Sequence, residues 1–337
     1  IYYRSQRWDD SEELYRKVVT DLDAGKQRQL FCQKCYRLGT IYEHLNRPDE
    51  ALDYYRRSFD ADSTYLPAGE GLSQALLNAG LWAEAEKVFQ AILRYHRDSL
   101  TDAEAVDIYW QLGDLCLKQQ QSDRAYSQFE KALTIDPRHV HSLRCLSDLD
   151  KNLENFETAL ERLNRLADAL PEKSRVEVLF EMADLARFKL RDIGRAINIL
   201  LPIRQMKSPE LEHLQHIAQL YIESGDTLRA AEVFDQAIEV ASGAEILAEL
   251  NYRLGHLYET VLRNPRLAVQ KYNQCLEHVA DNSKAFTAIE RILREQKDWE
   301  ALEYNYRIMI ARSKGFPVSQ RVELWRKLAE LYHHYLI

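Results

Sequence analysis

Residues 107–137 read DIYWQLGDLCLKQQQSDRAYSQFEKALTIDP, and this stretch decides the fold. Tyr109, Leu112, Gly113 and Cys116 lie on one side of a helix with 3.6-residue periodicity. Ala125, Phe129 and Ala132 do the same for a second helix, and Pro137 stops it. Neither helix can bury its apolar stripe alone, so the two must pack on each other and on further copies. Those copies are present. Cys35, Leu38, Gly39, Tyr42, Ala51, Tyr55 and Ser58 repeat the pattern, as do Asn251, Leu254, Gly255, Tyr258, Ala268, Tyr272 and Cys275. The small residue of the first helix falls at Gly39, Ser73, Gly113, Ser147, Ala183, Ala218, Gly255, Glu290 and Ala329, at intervals of 34 to 40 residues.

Composition agrees with a helical array. The 337 residues are 46% hydrophobic and 29% charged, enough apolar material for a continuous core. Only 11 Gly and 8 Pro are present, too few for a β-rich chain full of tight turns. The net charge of −8 and pI near 5.8 weigh against a nucleic-acid binder. No apolar run approaches the roughly 18–20 residues of a membrane span. Five Cys, an odd number without a disulfide-like spacing, favour a reducing compartment, and a cytoplasmic location is expected.

The period, the L-G pair of the first helix and the A-x3-F-x2-A of the second closely resemble the tetratricopeptide repeat, and the resemblance covers essentially the whole chain. It implies an all-α fold: an α-solenoid, a right-handed superhelix of antiparallel helix pairs, with about 18 helices in one continuous array over 1–337. Full repeats start near 32, 66, 106, 140, 176, 211, 248 and 283. Residues 1–30 and 320–337 read as half repeats, which points to a piece of a longer protein. Ala51, Ala85, Ala125, Ala159, Ala196, Ala230 and Ala268 are expected to let the paired helices approach. Tyr55, Phe89, Phe129, Leu163, Leu200, Phe234, Tyr272 and Tyr306 are expected to fill the core. Extra residues around Arg97–Asp102 and Lys314–Ser319 read as longer connections between repeats. One extra residue each at Arg191–Arg195 and Asn264–Leu267 reads as a longer turn within a repeat. Glu290 in the small position and Leu302 in an Ala position predict looser packing in the eighth repeat.

No motif of catalysis stands out. G-x-S-x-G, the phosphate-binding loop and G-x-G-x-x-G are absent. Cys32-x2-Cys35 lacks a second pair for zinc and sits at an apolar helix position, so it reads as core. His139/His141, His213/His216 and His333/His334 lack the further ligands of a metal site. No metal, cofactor or enzymatic activity is expected.

By the resemblance, the fifth and ninth positions of each first helix face the concave side. The fifth position carries Tyr36, Trp110, Phe180 and Tyr252 in alternate repeats, with Arg144 between, and hints at a two-repeat unit of about 70 residues. The ninth carries Asp114, Asp148, Asp184 and His256. Either the rings grip a partner segment, or they pack on their neighbours. The acids, with Asp107 and Glu177, either meet Lys or Arg of a protein or peptide partner or form a solvated wall. Three functions follow: a non-catalytic interaction scaffold binding along the concave face, an assembly module within a larger complex, or the docking array of an enzyme whose catalytic domain lies elsewhere. Trp8, Trp82 and Trp299 are candidate outer contacts, although the last two stand at a packing position. Neither nucleic acid nor membrane insertion is expected.

Overall fold

The computed structural model describes residues 7–22, 24–206 and 209–335. The half repeats at 1–30 and 320–337 therefore lie partly outside the described residues. Among these residues there are 18 α-helices and no strand. Helix α1 (Trp8–Asp21) precedes eight helix pairs, in each of which we term the first helix A and the second B. They are α2 (Arg28–His44) with α3 (Pro48–Ala61), α4 (Leu66–Asn78) with α5 (Trp82–His96), α6 (Asp102–Lys118) with α7 (Ser122–Ile135), and α8 (Val140–Asn152) with α9 (Phe156–Ala169). Then come α10 (Glu172–Asp184) with α11 (Ile193–Arg204), α12 (Leu211–Glu223) with α13 (Thr227–Val240), α14 (Ala244–Thr260) with α15 (Pro265–His278), and α16 (Ser283–Gln296) with α17 (Trp299–Arg312). Helix α18 (Val318–Tyr335) follows. Contacts group the chain into two compact units, meeting at Val178 and Leu179.

In the first unit, Cys35, Leu38 and Tyr42 of α2 meet Ala51 and Tyr55 of α3, and the same core continues through Leu72, Ala85, Phe89 and Leu112. In the second, Ala268 and Tyr272 of α15 share a core with Phe286, Ile289, Tyr306, Leu324 and Leu328. All seven alanines and all eight large residues expected inside are buried. Burying one such large side chain is worth about 1.5–3 kcal/mol. Three of the rings fit because the facing helix carries no Cβ. A Cβ on Gly39 would lie 2.7 Å from Cδ1 of Tyr55, and one on Gly71 would lie 2.8 Å from Cε1 of the same ring. Gly113 faces Phe129 at 2.6 Å and Gly255 faces Tyr272 at 2.9 Å in the same way. Cys32, Cys35, Cys116 and Cys275 are buried free thiols. Burial pushes Cys35 up to about 12 and Cys275 up to about 11, so the Cys32/Cys35 pair is core material without thiolate chemistry.

Each pair is joined by the same turn. Asn46, Gly80, Gln120, Glu154, Arg191, Gly225, Arg263 and Lys297 all have positive φ. After Gln120, for example, the N–H of Gln121 returns to the carbonyl of Cys116, five residues back. This closes helix A in a left-handed cap and reverses the chain. The two single-residue insertions sit earlier than expected, at the end of helix A and not after the turn. Leu185–Lys189 forms a π-helical turn continuing α10, and the N–H of Asp192 reaches back six residues to Ala186. The N–H of Asn264 reaches Tyr258, again six back. An insertion there lets the wider turn absorb the residue while Leu185 and Ala186 stay buried.

The longer connections between repeats stand where expected. His96 leads into a turn ended by Thr101, whose side chain forms a reciprocal cap with Glu104 at the start of α6. Ser313–Gly315 is a 3₁₀ turn before α18. Helix A alternates in length: α2, α6 and α14 have 17 residues, whereas α4, α8 and α12 have 13. In the eighth pair α16 and α17 approach over fewer residues than α2/α3 or α14/α15 do. In this pair the small position holds Glu290, which is buried, accepts the Tyr306 hydroxyl, and is held by Lys327 at 2.9 Å.

Gly113→Ala forces a methyl into the Phe129 ring and is expected to lower stability by about 2 kcal/mol in denaturant unfolding. Gly194→Ala, where a Cβ meets only Asp192 at 3.5 Å, is expected to raise it by about 0.5 kcal/mol. A neutral or stabilising Gly113→Ala contradicts the close-approach account.

Candidate partner-binding surface

The fifth and ninth positions of a helix A are one turn apart, so their side chains stand one above the other. In the first unit these positions hold Tyr36 on α2, Trp110 with Asp114 on α6, and Arg144 with Asp148 on α8. In the second they hold Phe180 with Asp184 on α10, and Tyr252 with His256 on α14.

All four aromatic rings are half-buried and each has ring partners. Tyr36 lies 5.8 Å from Tyr55 and meets Tyr65 edge-on at 5.8 Å. Trp110 lies 5.2 Å from His141. Its buried Nε1 makes no hydrogen bond of normal geometry, and the indole N–H opposes the rise in the Cys145 thiol pKa that burial causes. Phe180 is flanked by His213 at 4.7 Å and His216 at 5.2 Å. Tyr252 lies 5.6 Å from Tyr272. The expected ladder is therefore a set of rings already braced by the neighbouring helix, each with one edge open.

The acidic positions divide. Asp114 is paired with Lys118 at 2.7 Å and Asp148 with Lys151 at 2.6 Å, both on their own helices. Asp107, Glu177 and Asp184 are exposed. Arg144 is half-buried. The exposed His256 opens the opposite electrostatic case: it lines a cavity of about 380 Å³ with Tyr252, Glu259, Lys284 and Arg291. There Glu259 accepts the Tyr272 hydroxyl at 2.7 Å and pairs with Arg291.

His139 begins α8 as its N-cap. Its Nδ1 faces the Ser142 hydroxyl at 2.8 Å and accepts from the Ser142 N–H. His141 stands 5.7 Å away, and Asp107 is 3.9 Å from Nε2. Burial, and then His141, lower its pKa from the usual 6.5, against the pull of Asp107 and Asp136. Among the described residues no group of three His, Cys, Asp or Glu is arranged to hold a metal ion.

Several features carried no signal in the sequence. Arg162 of α9 donates to Asp150 of α8 at 2.5 Å, to Glu130 at 2.5 Å and to Tyr126 at 2.7 Å, and both Arg162 and Asp150 are buried. Phe188, 62% exposed, projects from the π-helical turn with the Arg187 guanidinium 4.5 Å over its ring. Trp325 of α18 is 57% exposed. The three tryptophans singled out as outer contacts are half-buried: Trp8 stacks on His44, Trp299 stacks on Tyr335, and Lys118 covers Trp82.

Comparisons with known proteins follow this geometry. Family models described as tetratricopeptide repeat match residues 44–108, 106–139 and 213–243. Superkiller protein 3 of Schizosaccharomyces pombe is 22% identical over 214 residues, covering 60% of this chain and 15% of that protein. Tetratricopeptide repeat protein 8 of Caenorhabditis elegans is 29% identical over 140 residues, covering 40% of this chain and 25% of that protein. The chain thus matches no more than a quarter of the length of these two relatives. The solved structure of Naa15/Naa10 bound to HypK-THB contains a chain of the same fold, at TM-score 0.50 and 15% identity, over 89% of this chain and 46% of that one. No described helix is long and apolar enough to cross a membrane.

Because the folded His139 favours the neutral form, it contributes stability that is present above pH 6.5 and is lost as pH falls below it. His139→Asn keeps a capping acceptor without a titrating group. The difference in unfolding free energy between wild type and this variant is expected to shift against wild type as pH falls from 7 to 5. A difference independent of pH refutes the assignment.

Proposed function

We propose that this chain, a tetratricopeptide repeat protein, is a non-catalytic scaffold that holds segments of protein partners along the helix-A faces of its two units. Tetratricopeptide repeats are in general protein–protein interaction modules. The observation that carries the reading is the recurring pair of a braced, half-buried ring with a charged or polar side chain one turn on: Trp110 with Asp114, Phe180 with Asp184, Tyr252 with His256. A ring fixed by a neighbouring imidazole or phenol loses little entropy when a partner side chain packs on its open edge, which is what favours aromatic anchors. The exposed Asp107, Glu177 and Asp184 would favour Lys or Arg among the contacts and speed encounter with them. Free thiols throughout the core support a reducing compartment such as the cytoplasm.

One observation favours a second reading, in which the chain is an assembly module. Val318, Val322 and Trp325 form an exposed apolar stripe on α18, with exposures of 72%, 60% and 57%. Contiguous apolar surface of this kind marks contact with another protein.

Capture from native extract separates the two. With Trp110→Ala/Phe180→Ala as bait, and folding verified by circular dichroism, recovery of specific partners is expected to fall at least tenfold, about 1.4 kcal/mol or more. Unchanged recovery contradicts the helix-A reading, and loss on Trp325→Ser alone supports the assembly reading in its place.

A further inference from the structure

The helix-A face of the second unit contains a cavity of about 750 Å³ between α16 and α18. Two features border it. The fifth position of α16 is the exposed Thr287, where α10 and α14 carry Phe180 and Tyr252. The connection to α18 is also lengthened, and it passes over the site as Gly315, Phe316 and Pro317. The short side chain of Thr287 and the longer span together leave this space open.

The floor is apolar: Phe286, Met309, Phe316 and Leu324. The charged lining is Asp281, Glu290, Glu323 and Lys327, three carboxylates to one ammonium. Lys327 is already committed to Glu290 at 2.9 Å. Glu323 is paired with Arg326 of its own helix at 2.7 Å, an exposed pair of the kind worth little and readily exchanged. Asp281 is exposed on the rim. The volume lies in the range of specific ligand pockets, and an apolar floor with a few charged groups at the mouth is their usual make-up.

We infer that this cavity seats one large aliphatic or aromatic side chain of a partner peptide whose neighbouring residues are Lys or Arg. The inference rests on the interaction reading above and adds the chemistry of the partner at one place. The apolar side chain displaces water from Phe286, Met309 and Leu324, and the flanking cation takes Asp281 and Glu323.

The test uses the whole chain and three fluorescein-labelled octapeptides in Gly/Ser flanks: one with Leu followed by Lys-Lys, one with Leu followed by Glu-Glu, and one with Ser followed by Lys-Lys. Fluorescence anisotropy is expected to show the Leu-Lys-Lys peptide binding at least tenfold tighter than either other, and more weakly at high salt. Thr287→Phe puts a ring into the cavity, and is expected to weaken that binding at least tenfold with an unchanged circular dichroism spectrum. Gln320→Trp, on the exposed opposite rim, is a second filling variant with the same expectation. Equal binding of the three peptides, no binding of Leu-Lys-Lys up to about 1 mM, or wild-type affinity in both filled variants overturns the inference. If the filled variants still lose nothing while Trp110→Ala/Phe180→Ala abolishes capture, the pocket alone is refuted and the scaffold reading stands.

Discussion

The contact on which the rest of this structure depends joins the large residue of helix B to the small residue of helix A, and in three pairs it is a ring against a helix with no Cβ. Tyr55 is enclosed by Gly39 and Gly71, Phe129 by Gly113, and Tyr272 by Gly255. The contact sets how closely helices A and B approach, and the left-handed residue at each turn then brings helix B back at that spacing. The fifth position of helix A stands beside the small residue, and its side chain borders the enclosed ring: Tyr36 lies 5.8 Å from Tyr55 and Tyr252 5.6 Å from Tyr272. The surface proposed for partners is therefore continuous with core packing. The eighth pair shows what happens when the contact is replaced. Glu290 stands in the small position and accepts the Tyr306 hydroxyl, and α16 and α17 approach over fewer residues.

Polar groups tie successive repeats together around this apolar frame. Arg124 of α7 reaches Glu86 of α5, Arg162 of α9 reaches Glu130 of α7, and Lys271 of α15 reaches Asp235 of α13 at 2.7 Å. Each joins one helix B to the preceding one. Each sets one largely buried member against an exposed one, so it adds little net stability, but losing the exposed partner leaves the buried charge without its counter-charge. Their effect is to penalise any stacking in which the cations do not meet their acids. Asp150 and Arg162 are the strongest case, since both are buried.

The fold was legible from residues 107–137 outward because repetition multiplies a weak signal: a small residue recurring every 34 to 40 positions leaves few alternatives. Buried alanines and rings followed the same register, and the Cys32/Cys35 pair was recognisable as core by its place in it. Local accommodation was not legible. Whether an extra residue lengthens a turn or widens the end of a helix depends on which backbone carbonyls the neighbouring packing leaves free. The candidate surface was legible in position but not in environment. Trp110 and Phe180 could be placed on helix A, yet their imidazole partners come from the next repeat, about 30 residues away. Asp114 and Asp148 counted as open acids until their own lysines, four and three residues on, were seen to hold them. The cavity over Thr287 combines a short side chain with a long connection, and neither suggests a pocket by itself.

The wider turn at Leu185–Lys189 has a consequence for how such a chain can vary. One inserted residue would rotate everything after it by about 100° around the helix axis if the helix simply continued. Here the phase error is taken up within a single turn, and Ala196 and Leu200 of α11 are buried in register as though nothing had been added. The same holds after the six-back closure at Asn264, where Ala268 and Tyr272 keep their places. Length changes at the end of helix A are thus self-correcting: they alter the local outline, as the protruding Phe188 does, and leave the downstream stack untouched. Mutational drift in gene length can accordingly sample new surface shape at these points without first having to redesign a core.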